Sequence, residues 1–463
     1  MSSPDPASPA PPAPATSAAF GPGGASRALL RRLAGGAALG AVLKFGGVGL
    51  AFLMLLVLAR RMEADAYGVF AAAFSLATIA GFVATLGQHV AILRFWPSLD
   101  EAHGRAAAAA ALRFSLGLTA AGAAVTAGAL TLAGTLAPQL SVFGGTGLTL
   151  ALTGAMAGAF ALSETAVAGL RARGSMAFAL GPREILWRLA VIAGAFALSA
   201  PLGADTALAV IAAALLAVTA PQLAVLAREA FAAPRTPAPA EDARAMRRSV
   251  FDFWGGGAVG PLTGHVGTIL VGAVLGPVAA GAYFAADRIA KLLSIALIGV
   301  NQIVGPMIAR SWRGDRIDEV RLLVFTGSVL AFAVAGAGFL AYLLFGRYAL
   351  SLFNPAYADA FPILLILSAG QLVNTICGPN NFLLNMAGRE RDYLVIMTMW
   401  GIAAIVGIWF GASQFGVLGA ALASALAMTG WNISAVVTAQ VRLGVSPFSF
   451  LKKSEKYLNV DKS

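Results

Sequence analysis

Charge is what this chain has least of. Only 11% of its 463 residues are charged, against 59% hydrophobic, and the mean hydropathy is +0.80. That is too little polar surface to coat a water-soluble globule of this length, so the chain must be solvated by lipid. Cysteine occurs once, at Cys377 in an apolar stretch, which excludes a disulfide framework and a cysteine-built metal site. The alternating segments of a membrane β-barrel are missing. The loops hold no G-x-x-x-x-G-K-[ST], no H-E-x-x-H and no Asp-x-Asp pair, and none is long enough for a catalytic domain. No enzyme, no metal and no cofactor are expected.

What is present in abundance is apolar sequence of helical length. A helix needs about 20 apolar residues to cross roughly 30 Å of hydrocarbon, and such runs recur between short polar breaks. They predict an all-α polytopic membrane protein of about 12 transmembrane helices, at 34–58, 66–90, 112–136, 147–170, 185–201, 206–227, 253–275, 280–307, 323–345, 360–384, 393–412 and 416–440. The fifth is the shortest and is bounded by Pro201. Residues 1–26 are rich in Pro, Ala, Ser and Gly, with Asp5 as the one charge before Arg27. They lack the basic start and apolar core of a secretory signal and read as a disordered cytoplasmic tail.

The net charge of +11 would suit a nucleic-acid partner if the cations formed a stripe or a tail, but they sit at the ends of apolar runs, so no nucleic acid is expected. With the amino terminus taken as cytoplasmic, 26 of the 32 Lys and Arg fall in inward segments, Arg183 and Arg188 among them. Arg60, Arg61 and Arg347 face outward, and Lys44, Arg288 and Lys291 lie within spans. This asymmetry predicts both termini inside and an even number of spans.

A Pro/Ala-rich run at Pro234, Pro237 and Pro239, followed by Arg244, Arg247 and Arg248, reads as a cytoplasmic linker over 229–249 between a six-helix bundle at 27–228 and another at 250–445, with a basic tail at 446–463. The halves echo one another in order: Gly35-Gly36-Ala37-Ala38-Leu39-Gly40 with Gly255-Gly256-Gly257-Ala258-Val259-Gly260, Phe70-Ala71-Ala72 with Phe284-Ala285-Ala286, and Ile92-Leu93-Arg94-Phe95-Trp96 with Ile308-Ala309-Arg310-Ser311-Trp312. Six helices per half give two parallel repeats about a central cavity.

Ionisable groups inside spans cost about 2.5–3.5 kcal/mol each at a helix centre on insertion scales, so they are the default functional candidates. Lys44, nine residues into its span, lies roughly 14 Å deep at 1.5 Å per residue. Asp287, Arg288 and Lys291 share the eighth span. Asp287 and Lys291 are four apart and can neutralise one another, which leaves Arg288 as a surplus cation. Lys44, Arg288 and Lys291 would then line a cavity suited to an anionic headgroup, Arg in particular matching phosphate with a forked set of donors. The competing reading is a structural ion pair, with Lys44 anchored to a carbonyl or to an acid elsewhere. Gln88, Asn301, Gln302 and Asn374 are expected to hydrogen-bond helices together and to line the path. His265 and His89 could titrate near neutral pH but read as packed or interfacial imidazoles, and Glu164 as an interfacial acid near a helix end.

Several short motifs carry a resemblance. Arg61-Met62-Glu63-Ala64-Asp65-Ala66-Tyr67-Gly68-Val69-Phe70 is similar to an R-x(4)-YG-x-F connection, joined by Leu86-Gly87 with Arg94-Phe95, Ala282-Tyr283-Phe284-Ala285, Asn301-Gln302 with Pro306, Asn385-Met386-Ala387-Gly388-Arg389 and Gly416-Val417-Leu418-Gly419-Ala420-Ala421. Together they resemble the polysaccharide biosynthesis (Wzx-type) flippases of the multidrug/oligosaccharidyl-lipid/polysaccharide exporter superfamily, over about residues 30–445. The resemblance implies a bacterial inner-membrane flippase. Such a protein moves an undecaprenyl-pyrophosphate-linked oligosaccharide between leaflets by alternating access, with membrane lipids, a polysaccharide polymerase and export machinery as partners. The rival within the same superfamily is an ion-coupled multidrug exporter, whose cavity would want excess acid.

Overall fold

The computed structural model describes residues 24–136, 144–198, 201–234 and 240–449. Most of the expected amino-terminal tail, the prolines of the linker from 235 to 239, and the last fourteen residues lie outside the described residues, as do the side chains of the two glycine-rich openings at 35–39 and 255–258. Every described element is helical, with no strand among the described residues.

The elements are α1 (Gly24–Arg61), α2 (Ala64–Ala84), α3 (Gln88–His103), α4 (Arg105–Leu136), α5 (Gly147–Ala172), α6 (Met176–Gly181), α7 (Trp187–Ala197), α8 (Ala204–Ala232), α9 (Ala240–Leu275), α10 (Pro277–Lys291), α11 (Ile295–Arg313), α12 (Ile317–Phe353), α13 (Phe361–Cys377), α14 (Asn380–Met386) and α15 (Glu390–Leu443). Nine stretches among the described residues are long and apolar enough to cross a membrane. One of these, α15, reverses at Gly416, whose φ of 64° and ψ of −152° suit a residue without a Cβ. Its two legs pack so closely that a Cβ on Gly411 would lie 2.5 Å from the Gly419 carbonyl. The chain is therefore a multi-pass membrane protein. With α2–α3, α6–α7, α10–α11 and α13–α14 each taken as one pass, the described chain crosses twelve times.

The fifth pass departs from expectation. It starts at Met176 rather than 185 and runs on to Ala197 through a π-helical turn at Pro182–Leu186, closed by a bond from the Trp187 amide to the Pro182 carbonyl. Pro182 at the head of that turn has no N–H to lose. As a result Arg183 and Arg188, assigned to the inward loop from sequence, sit inside the bundle. A turn closed by i to i+5 bonds brings residues five apart onto one side, which is how these two arginines come together.

Helix ends sort into two sets by their contacts. At one end the Arg61 guanidinium donates to the Leu198 carbonyl, the Leu202 amide donates to the Arg61 carbonyl at 2.8 Å, and the Tyr357 hydroxyl donates to the Ala64 carbonyl at 2.8 Å. At the other, Arg173 pairs with Glu229 at 2.6 Å, His103 with Asp242 at 3.4 Å, and Arg321 donates to the Gly444 carbonyl at 3.0 Å. Cations crowd the second end and are sparse at the first.

Helices α2, α4, α5 and α8 pack among themselves; α15 packs on α9 and α13, α10 on the same two, and α11 on α12; the two sets meet along α2–α10 and α2–α9. The α2–α10 crossing is nearly backbone on backbone. A Cβ on Gly68 would come within 1.8 Å of the Pro277 carbonyl oxygen, and one on Gly281 within 3.2 Å of the Gly68 Cα. Beside these glycines the echoed residues Phe70-Ala71-Ala72 and Phe284-Ala285-Ala286 are all buried, with Tyr67 and Phe74 edge-on to Phe284.

Candidate functional site

Just below this crossing α10 ends, and its last turn carries Asp287, Arg288 and Lys291. Cations there complement the carbonyl end of the helix dipole. Lys291 Nζ donates to Asp287 Oδ2 at 2.7 Å and to the Gly264 carbonyl of α9 at 2.7 Å. Arg288 reaches the same carboxylate oxygen only at 3.7 Å, lies over the Phe284 ring at 4.6 Å, and donates from Nη2 to His265 Nδ1 at 3.1 Å. That nitrogen also lies 3.3 Å from Ser75 Oγ of α2. The pairing expected from the four-residue spacing is thus present, and the surplus guanidinium rests on an imidazole and a ring face.

Two cavities flank this turn, with Lys291 and Val48 lining both. The first, of about 280 Å³, has Arg183, Arg188, Arg288 and Lys291 in its wall and no carboxylate; the wall also holds His265, Thr78, apolar groups of α1 and the rings of Phe74, Phe160 and Trp187. The acids stand behind the cations. Arg183 Nη2 bonds Glu164 Oε1 at 2.5 Å, and Arg188 Nη1 bonds Glu184 Oε2 at 3.0 Å. Both guanidinium groups also face aromatic rings, Arg183 over Phe160 at 5.0 Å and Arg188 over Trp187 at 4.9 Å. The Nε atoms of Arg183, Arg188 and Arg288 are buried without a hydrogen-bond partner. Gly47 of α1 lets the π turn approach, since a Cβ there would sit 2.6 Å from Glu184 Oε2.

The second cavity, of about 400 Å³, lies between α9, α10, α13 and the two legs of α15. Its only charged lining residues are the paired Asp287 and Lys291. The rest of its polar wall is neutral, with Thr268, Tyr283, Gln371, Asn374 and Ser424, and the indoles of Trp400 and Trp431.

Of the residues singled out from sequence, Asp287, Arg288, Lys291 and Asn374 line these cavities. Lys44 does not; it is exposed on α1, one turn beyond Val48 toward the cation-rich end. Gln88 is buried between α3 and α4, accepting from Ser115 Oγ at 2.9 Å, and so serves packing rather than the path. Asn301 and the exposed Gln302 line neither cavity. Glu164, read as interfacial, is instead the partner of a cavity arginine. Arg183, Arg188, Trp400 and Trp431 were missed: the first two looked like loop charges, and the indoles sit on different legs of α15.

No family model and no curated protein matches the chain. Solved structures do. A lipid II flippase, MurJ, in an inward closed conformation is similar with a TM-score of 0.68 at 14% identity, over 91% of this chain and 90% of that one. An inward-facing multidrug resistance MATE family transporter of the MOP superfamily gives 0.65 at 14% identity, over 90% and 95%. A MOP superfamily transporter from Pyrococcus furiosus, described as having a binding pocket of reverse polarity, gives 0.61 at 14% identity, over 92% and 96%. The chain has the fold of these transporters and flippases.

Proposed function

We propose that this protein is a flippase that carries an undecaprenyl-pyrophosphate-linked oligosaccharide across a bacterial inner membrane for polysaccharide export. Four cations and no carboxylate in the wall of one cavity support this reading above all else. A pyrophosphate entering from lipid loses water and needs forked donors and net positive charge in return. Arg288 supplies both, its closest contacts being an imidazole and a ring, with the Asp287 carboxylate 3.7 Å away and bonded by Lys291. Arg183 and Arg188 join Lys291 in this role, and Lys44 stands at the approach rather than in the pocket. The bundles at 27–228 and 250–445 would rock about the α2–α10 crossing, opening the cavities to either leaflet in turn. Both termini would be cytoplasmic, and the polymerase that consumes the flipped glycan-lipid would be the downstream partner.

Charge reversal at Arg288 in a deletion strain should abolish export while the protein stays in the membrane. Normal export by that variant would remove the assignment. The alternative, an ion-coupled multidrug exporter of the same superfamily, draws on Asp287 beside Trp400 and Trp431, a combination that suits an organic cation. Lys291 already occupies that carboxylate, which places this reading second. Drug resistance on expression, with no polysaccharide defect on deletion, would reverse the order.

A further inference from the structure

We infer that the neutral cavity between α9, α10, α13 and α15 is a separate carbohydrate subsite, which reads the sugar nearest the pyrophosphate while the cationic cavity holds the phosphates. This rests on the flippase reading and adds to it a second site with a different task.

The two cavities are continuous in chemistry at one residue. Lys291 lines both and Arg288 lines the cationic one, so a phosphate held by Arg288 has the other cavity next to it, across Lys291. What lies there is unsuited to more phosphate. The Asp287–Lys291 pair cancels its own charge, and every other lining group is uncharged. Within a largely apolar wall, hydrophilic groups project from three helices. Asn374 and Gln371 come from α13, Thr268 from α9 and Ser424 from the second leg of α15.

A pyranose has apolar faces of C–H bonds and a rim of hydroxyls, each both donor and acceptor. A site for it needs flat apolar plates with donors and acceptors around them. Trp400 and Trp431 supply the plates. Trp400 is fixed, its Nε1 donating to Ser434 Oγ at 3.0 Å and its ring packed on Gly430, where a Cβ would lie 2.2 Å away. The Trp431 Nε1 has no hydrogen-bond partner, which is costly for a buried donor unless a ligand or water accepts from it. Asn374 donates to Gln371 at 3.4 Å, a long contact that leaves the Gln371 amide nitrogen and the Asn374 oxygen for an incoming hydroxyl. The volume of about 400 Å³ lies within the range of small-molecule sites, roughly 300–1,000 Å³.

The test uses purified full-length protein in nanodiscs and two kinds of probe. One is bare undecaprenyl pyrophosphate, and the other is the same lipid carrying glucose, galactose, N-acetylglucosamine or N-acetylgalactosamine. At least one head sugar should tighten binding by about tenfold over the bare lipid, the gain expected from one or two well-made hydrogen bonds with ring contact. Trp431→Phe and Asn374→Ala should each erase most of that gain and leave affinity for the bare lipid unchanged. If no head sugar adds affinity to the wild type, or if both folded variants keep the gain, the subsite is lost. Failure of wild type to bind the bare lipid is a different result, and it removes the flippase reading instead. The wild-type comparison alone decides the matter if the variants do not fold.

Discussion

Arg288 donates to His265 Nδ1 at 3.1 Å, and so its charge is oriented by a neutral acceptor while the nearest carboxylate is held by another cation. A guanidinium anchored in this way keeps its remaining N–H groups for a ligand, and the planar fork is what an ammonium cannot copy. Arg288→Lys should therefore weaken undecaprenyl pyrophosphate binding by about tenfold, even though charge is kept. Arg288→Gln should weaken it further. Titration of purified protein measures both, and unchanged affinity in the glutamine variant would sink the role given to this arginine.

The carboxylates behind the cavity wall hold cations in place, which makes Glu164→Gln more harmful than its size suggests. Arg183 and Glu164 have side chains only 11% and 22% exposed, and removing one partner of such a buried pair costs about 3–5 kcal/mol. The double variant Glu164→Gln with Arg183→Met removes the stranded charge and should recover part of the loss. A double-mutant cycle on unfolding in detergent checks this; additive effects would mean that the pair is not coupled.

At the α2–α10 crossing, Gly68→Ala has no room. The new methyl would sit 1.8 Å from the Pro277 carbonyl oxygen, a backbone atom that cannot swing aside. Overpacking of this kind costs about 1–3 kcal/mol and displaces the helices that meet there. Gly49→Ala, with nothing within 4 Å, is the control and should be neutral or slightly stabilising. Thermal unfolding of the two variants side by side measures the difference, and equal melting temperatures would contradict a backbone contact at Gly68.

How much of this was legible in the sequence depended on how local each feature is. The Asp287–Lys291 pair was readable because both residues lie on one helix, four apart, and the twelve passes were readable because lipid demands continuous apolar runs. The arginine cavity was not readable, because Arg183 and Arg188 both follow Pro182 at what looks like a loop edge. Only a π turn carries that segment into the bundle and aligns residues five apart. Gln88 and Asn374 are equally polar in sequence, and only tertiary packing gives the first a buried hydroxyl partner in Ser115 and the second a cavity. The signal that was available for the arginines was their neighbours, since Glu184 and Trp187 within the same seven residues offer both a charge partner and a ring.

Sidedness can be tested because Cys377 is buried and is the chain's one native thiol. Asp359, with a side chain 97% exposed, lies near the cation-poor end, and Glu390 is exposed near the cation-rich end. The cation bias predicts that the cation-rich end is cytoplasmic. In intact spheroplasts, Asp359→Cys should react with a membrane-impermeant maleimide, and Glu390→Cys should react only after permeabilisation. The reverse pattern would invert the topology.

Lys44 and Arg288 differ in place, and so charge reversal at the two should differ in degree. Lys44 is exposed and one turn, about 6 Å at 1.5 Å per residue, from Val48, the residue of α1 that lines both cavities. At that remove its charge is partly screened and acts on arrival of the headgroup more than on its final hold. Arg288 touches the bound anion directly in the proposed cycle. Lys44→Glu should therefore reduce export severalfold, with the defect growing as ionic strength falls, whereas Arg288→Glu should abolish export at any salt. Reconstituted vesicles loaded with labelled undecaprenyl-pyrophosphate glycan allow both to be followed as appearance of label in the outer leaflet. Equal and complete loss in the two variants would mean that Lys44 moves into the pocket during transport, and no loss in either would leave the cationic route without support.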